Sequence, residues 1–191
     1  MKNILQEIVS YKKIEIEKSK KIISGESLNK QIKSLSKPLS FLDELRNKNK
    51  EGKAGIIAEV KKASPSKGII KEDFNHIEIA KEYEKGGAAC LSILTDTPSF
   101  QGSPKYLKDI RRNTKLPILR KDFIIDTYQI IESRSWGADC ILLIMKVLKN
   151  EELSKLINIC NQMDMDILFE INSQEELELS LIHISEPTRP Y

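Results

Sequence analysis

Residues 57–68 read IAEVKKASPSKG, a short apolar strand that turns abruptly polar. In an extended strand the side chains alternate between two faces, so Glu59 and Lys61 would point the same way. The loop from Ser64 to Gly68 supplies two hydroxyls, a cation and a glycine, which suits an anion such as phosphate. An ordinary turn with solvated lysines is the competing interpretation, and the rest of the chain bears on the choice between them.

The composition is that of an ordinary globular domain: 191 residues, 40% hydrophobic and 31% charged, with a net charge of +3. This weak charge argues against binding to nucleic acid or to a membrane surface. No apolar run approaches the roughly 20 residues of a membrane span, and the N-terminus has no signal-peptide core. Cys90, Cys140 and Cys160 are widely spaced in apolar contexts. They predict reduced, buried thiols in a cytoplasmic protein, without a disulfide or a metal site.

Two helices and a charged linker are predicted before the first strand. Isoleucines at helical spacing predict a helix over 3–24, and a second is predicted over 34–46 with Ser40 as N-cap. The predicted apolar face of the first helix consists of Ile4, Ile8, Tyr11 and Ile14. Residues 46–55 are predicted to be a linker. We therefore expect an extension, 1–54, that covers the side or bottom of the domain or closes over a site as a lid.

From residue 55 onward, strand and helix patterns alternate. Short apolar runs predict five strands, at 56–61, 88–94, 116–121, 138–144 and 166–170. The helices between and after them are predicted at 75–85, 104–113, 127–136 and 150–163 and after Ser173, with 95–103 as a loop. Strict alternation predicts a parallel sheet, either an open doubly wound sheet or a closed (β/α)8 barrel. The first strand is not followed by GxGxxG, which argues against a dinucleotide-binding fold.

Charged residues lie where the predicted strands end. Glu59 and Lys61 end the first strand, Lys121 ends the third and Glu170 ends the fifth. In a parallel barrel these ends form one rim, where active sites lie. If the alternating faces that carry them point inward, two lysines and two glutamates converge, and such a group can perform acid–base chemistry. Ion pairs that only stabilise the rim are the competing interpretation.

Together these segments resemble the indole-3-glycerol phosphate synthase family of tryptophan biosynthesis. The matching runs are, in order, ILQEIVSYKKIEIEKSK, IAEVKKASPSKG, IAKEYEKGGAACLSILTDTPSFQGS, LPILRKDFIIDTYQIIESRSWGADCILLI and MDILFEINSQEELELSL. They cover nearly all of 1–181. The resemblance implies an α/β fold, a (β/α)8 TIM barrel with an N-terminal helical extension. It also implies a small phosphorylated substrate, with no metal and no cofactor.

The resemblance further implies the substrate 1-(2-carboxyphenylamino)-1-deoxyribulose 5-phosphate, which the family cyclises with loss of carbon dioxide and water. Lys121 would be the general acid at the substrate carbonyl, and Glu170 would act as base or acid in the later dehydration. Glu59 and Lys61 would be the second catalytic pair. The implied substrate-binding residues are Lys61, Ser64, Phe100, Phe123 and Leu142, the last three as apolar walls.

The resemblance ends before the chain does. The chain supplies five of the family's eight β/α units, over 55–181, and the tail 182–191 reads IHISEPTRPY, which departs from the family. We therefore expect a chain truncated after about the fifth unit, with exposed sheet edges, low stability and little activity. An inactive truncated fragment is thus the first alternative. The second is another phosphate-binding barrel such as phosphoribosylanthranilate isomerase, although that chemistry would need an early cysteine and a later aspartate as its acid–base pair.

Overall fold

The computed structural model describes residues 4–185, with side chains described through Leu181. The predicted tail 182–191 therefore lies outside the described residues, apart from the backbone of its first four, and the division of the chain into three segments stays a prediction. None of the helices within the described range is both long and apolar enough to cross a bilayer.

A five-stranded parallel sheet forms the centre of the fold. Its strands are β1 (Ile57–Val60), β4 (Cys90–Leu94), β5 (Ile118–Lys121), β6 (Cys140–Ile144) and β7 (Asp166–Glu170), and they pair in the order β1-β4-β5-β6-β7. Each strand pairs with the next one along the chain, and the order never reverses as it does in a doubly wound sheet. The sheet is therefore an arc of a TIM barrel, which confirms the predicted fold class.

Helices follow the strands as the alternating pattern predicts. They are α4 (His76–Lys85), α6 (Pro104–Arg111), α7 (Thr127–Trp136), α8 (Asn150–Gln162) and α9 (Gln174–Ser185). The predicted loop 95–103 is corrected in one respect, because it contains a short helix, α5 (Thr97–Phe100). The Asp96 side chain begins this helix by accepting a hydrogen bond from the Ser99 N–H at 3.0 Å. A two-residue ladder of β2 (Ala63–Ser64) and β3 (Gly68–Ile69) lies in the loop after β1.

The two faces of the sheet bury two separate apolar cores. The outer face packs against the helices, and its core includes Leu91, Ile93, Ile118, Ile141 and Leu143 from the strands. The inner face forms a second core around Cys90, Leu119, Cys140, Leu142 and Ile144. Strands that are buried on both faces explain the continuous apolar runs in the sequence.

The N-terminal extension contains three helices: α1 (Ile4–Ile22), α2 (Gly25–Ile32) and α3 (Phe41–Lys50). The predicted helix over 34–46 was wrong at both ends, because α3 begins after Ser40 and continues through part of the predicted linker. Helix α2 was not predicted. It is eight residues long, and its N-cap is Ser24, whose hydroxyl accepts a hydrogen bond from the Ser27 N–H at 3.2 Å.

The predicted apolar face of α1 was also partly wrong. Ile4 and Ile14 are 63% and 57% exposed, whereas the buried residues of α1 are Ile8, Lys12 and Ile16. These three lie four residues apart, so they share one face of the helix. A charged residue at the centre of the buried face cannot be identified from hydrophobic periodicity.

The extension reaches both ends of the barrel arc. At the amino ends of the strands, Phe41 is buried in the inner core, and its N–H donates to the Asp166 carboxylate at 2.7 Å. The N–H of Leu39 donates to Asp139 at 2.8 Å. At the carboxyl ends, Tyr11 of α1 donates to Asp96 at 2.9 Å. The extension therefore covers the bottom of the arc and also lies beside its rim, while closure over a site as a lid stays a prediction.

Replacement of Ser40 by alanine is expected to destabilise the chain by about 1 kcal/mol. The Ser40 hydroxyl accepts from the Asp43 N–H at 3.1 Å and so satisfies a backbone donor in the first turn of α3. Urea unfolding measures the loss. Ser154→Ala, in the exposed part of α8, serves as control and should change the unfolding free energy by less than about 0.5 kcal/mol; equal effects of the two substitutions would contradict the capping role.

Candidate active site

The four charged residues predicted at the strand ends line one cavity. Glu59, Lys61, Lys121 and Glu170 surround a space of about 440 Å³ at the carboxyl ends of the strands. Alternation along β1, β5 and β7 places them on the inner face, above the inner apolar core. The structure thus brings together all four residues that were predicted to be catalytic, while their roles stay predictions.

Within the cavity the four residues form two ion pairs. Lys61 Nζ lies 2.5 Å from Glu59 Oε1, and Lys121 Nζ lies 3.3 Å from Glu170 Oε2. The second pair joins β5 to β7 across the intervening strand. All four side chains are between 30% and 43% exposed, so a bound substrate could reach them. Each pair offers a proton donor and a proton acceptor a few ångströms apart, as acid–base catalysis requires.

Apolar side chains form one wall of the same cavity. Phe100, at the end of α5, and Phe123, which follows β5, lie with ring centroids 6.4 Å apart at a tilt of 35°. Leu142 of β6 completes the wall, together with Leu94 and Ile144. Aromatic and branched aliphatic side chains beside charged groups suit a planar ring that carries polar substituents. The three predicted apolar wall residues are therefore all at the cavity.

Ser64 is the exception among the predicted site residues. It belongs to β2, and its hydroxyl accepts a hydrogen bond from the Lys67 N–H at 3.3 Å within the same loop. It does not line the cavity. Gly68 in this loop has a φ of 64°, which favours glycine, so the tight turn itself explains the glycine. A phosphate-binding role for Ser64 stays a prediction.

Two polar residues that the sequence analysis did not propose as ligands also line the cavity. Lys146 lies on a single 3₁₀ turn (Met145–Val147) directly after β6, and Asn172 lies two residues beyond β7. Within the described part of the chain Lys146 forms no ion pair, unlike Lys61 and Lys121. Its position just past a strand end is the same signal that identified the other charged residues.

A buried cluster of charged residues lies directly behind the cavity. Lys12 of α1 is 5% exposed at its side chain, and its Nζ lies 2.8 Å from Asp96, 2.9 Å from Asp122 and 2.8 Å from Glu15. Asp96 and Asp122 also line the cavity. Burial lowers the pKa of Lys12, but the surrounding carboxylates outweigh it and raise the pKa above its usual value. Lys12 therefore stays charged and joins α1 to the loops after β4 and β5.

Arg120 completes the cluster from the outer face of β5. Its guanidinium contacts Asp122 at 3.1 Å and Glu132 of α7 at 3.0 Å, and it lies 4.2 Å from the centre of the Trp136 ring. It also donates to the Ser133 hydroxyl at 3.0 Å. Every described buried polar side-chain atom has a hydrogen-bond partner, so the desolvation of these charges is compensated.

The stability contributed by Asp122 is expected to depend on pH. Burial alone would raise the pKa of Asp122, but Arg120 and Lys12 outweigh it and hold the pKa below its usual range. A carboxyl group whose pKa is lower in the folded state than in the unfolded state, where it is about 3.9, stabilises the fold at pH values above that unfolded-state pKa. This stabilisation is lost as the pH falls through the folded-state pKa. The difference in unfolding free energy between the chain and Asp122→Asn should be constant from about pH 5 to 8 and narrow below about pH 4.

Urea unfolding at a series of pH values measures this difference. Glu51→Gln, which removes an exposed carboxylate that pairs with Lys53, is the control and should show no comparable difference at any pH. A difference between the chain and Asp122→Asn that stays constant to about pH 2 would contradict the linkage.

The cysteines are not part of the cavity. All three are buried free thiols, as predicted. Burial raises the pKa of both Cys90 and Cys160 to about 12, so these thiols are protonated near neutral pH and are poor nucleophiles.

Comparison with known proteins gives a consistent result. The sequence profile of the family "Indole-3-glycerol phosphate synthase" matches residues 5–186. A protein of that name from Neisseria meningitidis serogroup B is 45% identical over 178 residues, which is 93% of this chain and 68% of the relative. One from Prochlorococcus marinus subsp. pastoris is 50% identical over 93% of this chain and 59% of the relative. One from Acidovorax sp. is 45% identical over 95% of this chain and 70% of the relative.

Proposed function

Since this chain belongs to the indole-3-glycerol phosphate synthase family, we propose that its cavity binds 1-(2-carboxyphenylamino)-1-deoxyribulose 5-phosphate and converts it to indole-3-glycerol phosphate. The observation that supports this proposal is the convergence of two lysine–glutamate pairs beside an apolar wall in one cavity. The reaction joins the ring carbon that carries the carboxylate to the substrate's carbonyl carbon. It then releases one carbon dioxide and one water, which balances substrate and product.

Lys121 is proposed to donate a proton to the carbonyl oxygen as the new carbon–carbon bond forms. An attacked carbonyl gains negative charge on its oxygen, and a positioned ammonium stabilises that charge and supplies the proton. The pairing of Lys121 with Glu170 orients the lysine side chain between turnovers. The ring of the substrate would lie against Phe100 and Phe123, which places its carboxylate-bearing carbon toward the charged residues.

The remaining charged residues are assigned to the later steps and to binding. Loss of carbon dioxide restores the ring, and dehydration then needs a base for the departing proton and an acid for the departing hydroxyl. Glu170 and Glu59 are carboxylates within the cavity that can serve these steps, and Lys61 can hold the substrate carboxylate or phosphate. Lys146, which has no acidic partner in the described structure, is a further cation for an anionic substrate.

The chain spans 59% to 70% of the length of the relatives named above. The proposal therefore includes the statement that these 191 residues by themselves convert the substrate. The family is a family of lyases. A location in the cytoplasm, and the expectation that neither nucleic acid nor a cofactor is involved, belong to the proposal as well.

Formation of product tests the proposal directly. The purified chain is incubated with the carboxyphenylamino-deoxyribulose phosphate, and indole fluorescence is followed together with release of carbon dioxide. Equal molar amounts of the two products are expected. A folded chain that binds the substrate but releases neither product would favour the alternative in which these five β/α units are inactive by themselves.

A further inference from the structure

We propose that Lys12 is a positioning residue that cancels the charge of Asp96 in the cavity wall and thereby allows the anionic substrate to bind. This inference rests on the proposed function, because it concerns the same cavity and the same substrate. It assigns a part in the reaction to α1, a helix that carries none of the four proposed catalytic residues.

The geometry around Asp96 carries the inference. The Asp96 side chain is fully buried, and among the described residues Lys12 is the one cation within 4 Å of it. Its other partners, the Tyr11 hydroxyl and the Ser99 N–H, are neutral. Asp122 would keep a cationic partner if Lys12 were removed, because Arg120 lies 3.1 Å from it. Loss of the Lys12 ammonium would thus leave one buried, unpaired carboxylate in the wall of the cavity.

The charges of the cavity explain why this matters for the substrate. Three lysines, two glutamates and two aspartates line the cavity, and the aspartates are contacted from behind by Lys12 and Arg120, which also pair with Glu15 and Glu132. Without Lys12, Asp96 would add an uncompensated negative charge beside a substrate that carries a carboxylate and a phosphate. That charge would repel the substrate and would be only weakly screened, because the carboxylate is buried.

Lys12 also acts on the position of the apolar wall. Asp96 begins α5, which ends in Phe100, and Asp122 lies between Lys121 and Phe123 in the chain. By holding both aspartates, Lys12 fixes the two loops that carry these residues relative to each other. Reorientation of an unpaired Asp96 toward water would move α5 with it.

A charge-compensated variant tests the inference. The ligand is 1-(2-carboxyphenylamino)-1-deoxyribitol 5-phosphate, which keeps both anionic groups but has no carbonyl to react, and calorimetry gives its Kd. Lys12→Met is expected to weaken binding about tenfold, and Lys12→Met with Asp96→Asn should recover most of that loss because the orphaned charge is gone. Lys12→Arg should stay within about threefold of the unsubstituted chain.

Lys20→Met is the matched control, because Lys20 lies on the same helix and pairs with Asp126 at 2.9 Å outside the cavity. It is expected to change Kd less than about twofold. Where turnover is measured, Lys12→Met should raise KM more than it lowers kcat, and this split would not follow from a general loss of folded protein. Circular dichroism and a cooperative melt establish that each variant is folded.

The outcomes separate this inference from the proposed function. A folded double variant that still binds tenfold more weakly, or a Lys12→Met chain that binds normally, would overturn the charge role of Lys12. If Lys12→Met does not fold, the Kd values of the double variant and of Lys12→Arg test the inference instead. No binding by the unsubstituted chain would instead overturn the proposed function, and this inference with it.

Discussion

Lys121→Ala is expected to lower kcat by about 10²- to 10⁴-fold, the range that general acid catalysis contributes. The substitution removes the ammonium that lies 3.3 Å from Glu170 in the cavity and leaves the carbonyl oxygen without its proton donor. The pair is 30% and 43% exposed, so its loss should change the unfolding free energy by less than about 1 kcal/mol. A large effect on rate with a small effect on stability is the signature of a chemical role.

Product fluorescence under substrate saturation measures the loss, and urea unfolding checks stability. Lys155→Ala, an exposed lysine of α8 outside the cavity, is the control and should keep its full rate. A Lys121→Ala chain with a rate within about tenfold of the unsubstituted chain would show that another group donates the proton. Lys61 would then be the first candidate, since it is the other lysine of the two ion pairs.

Arg120→Ala is expected to cost about 3–5 kcal/mol of stability, because it removes one partner of a buried charge network. Asp122 and Glu132 would lose the guanidinium that contacts them at 3.1 and 3.0 Å. Trp136 would lose the cation above its ring. For a chain of this length the melting temperature should fall by roughly 6–20 °C.

Thermal unfolding followed by circular dichroism measures this effect. The control is Arg112→Ala, which breaks a surface pair with Asp109 at 3.5 Å in which the arginine is 75% exposed. It should cost less than about 1 kcal/mol. Similar melting temperatures for the two variants would mean that the buried network contributes no more than an exposed pair.

Much of the fold could be predicted from the sequence because its signals are local. Each central strand is a short run that is apolar on both faces, and Gly137 and Asp126 mark the ends of α7 with ordinary capping chemistry. Alternation along a strand predicted which residues share a face with Glu59, Lys121 and Glu170, but not that this face points inward, because both faces of the central strands are apolar.

The parts that could not be predicted depend on contacts between distant residues. The burial of Lys12 could not be predicted, because a lysine in an amphipathic pattern is normally exposed and its burial depends on two aspartates about a hundred residues away. Helix α2 is short, and the burial of Leu28 against Tyr128 of α7 stabilises it more than its own propensity does. Lys146 was missed because it lies in the 3₁₀ turn after β6, where alternation along a strand no longer predicts the direction of a side chain.

The long-range contacts of the N-terminal extension affect the order in which parts of this protein fold during synthesis. Phe41 donates to a carboxylate 125 residues further along the chain, and Leu39 to one 100 residues further. At a synthesis rate of about 5–20 residues per second, Phe41 at the start of α3 waits roughly 6–25 s for Asp166 to appear. The contacts of Leu39 and Phe41 can form only after the strands at Asp139 and Asp166 have been translated, so docking of α3 onto the arc is a late step of folding during synthesis.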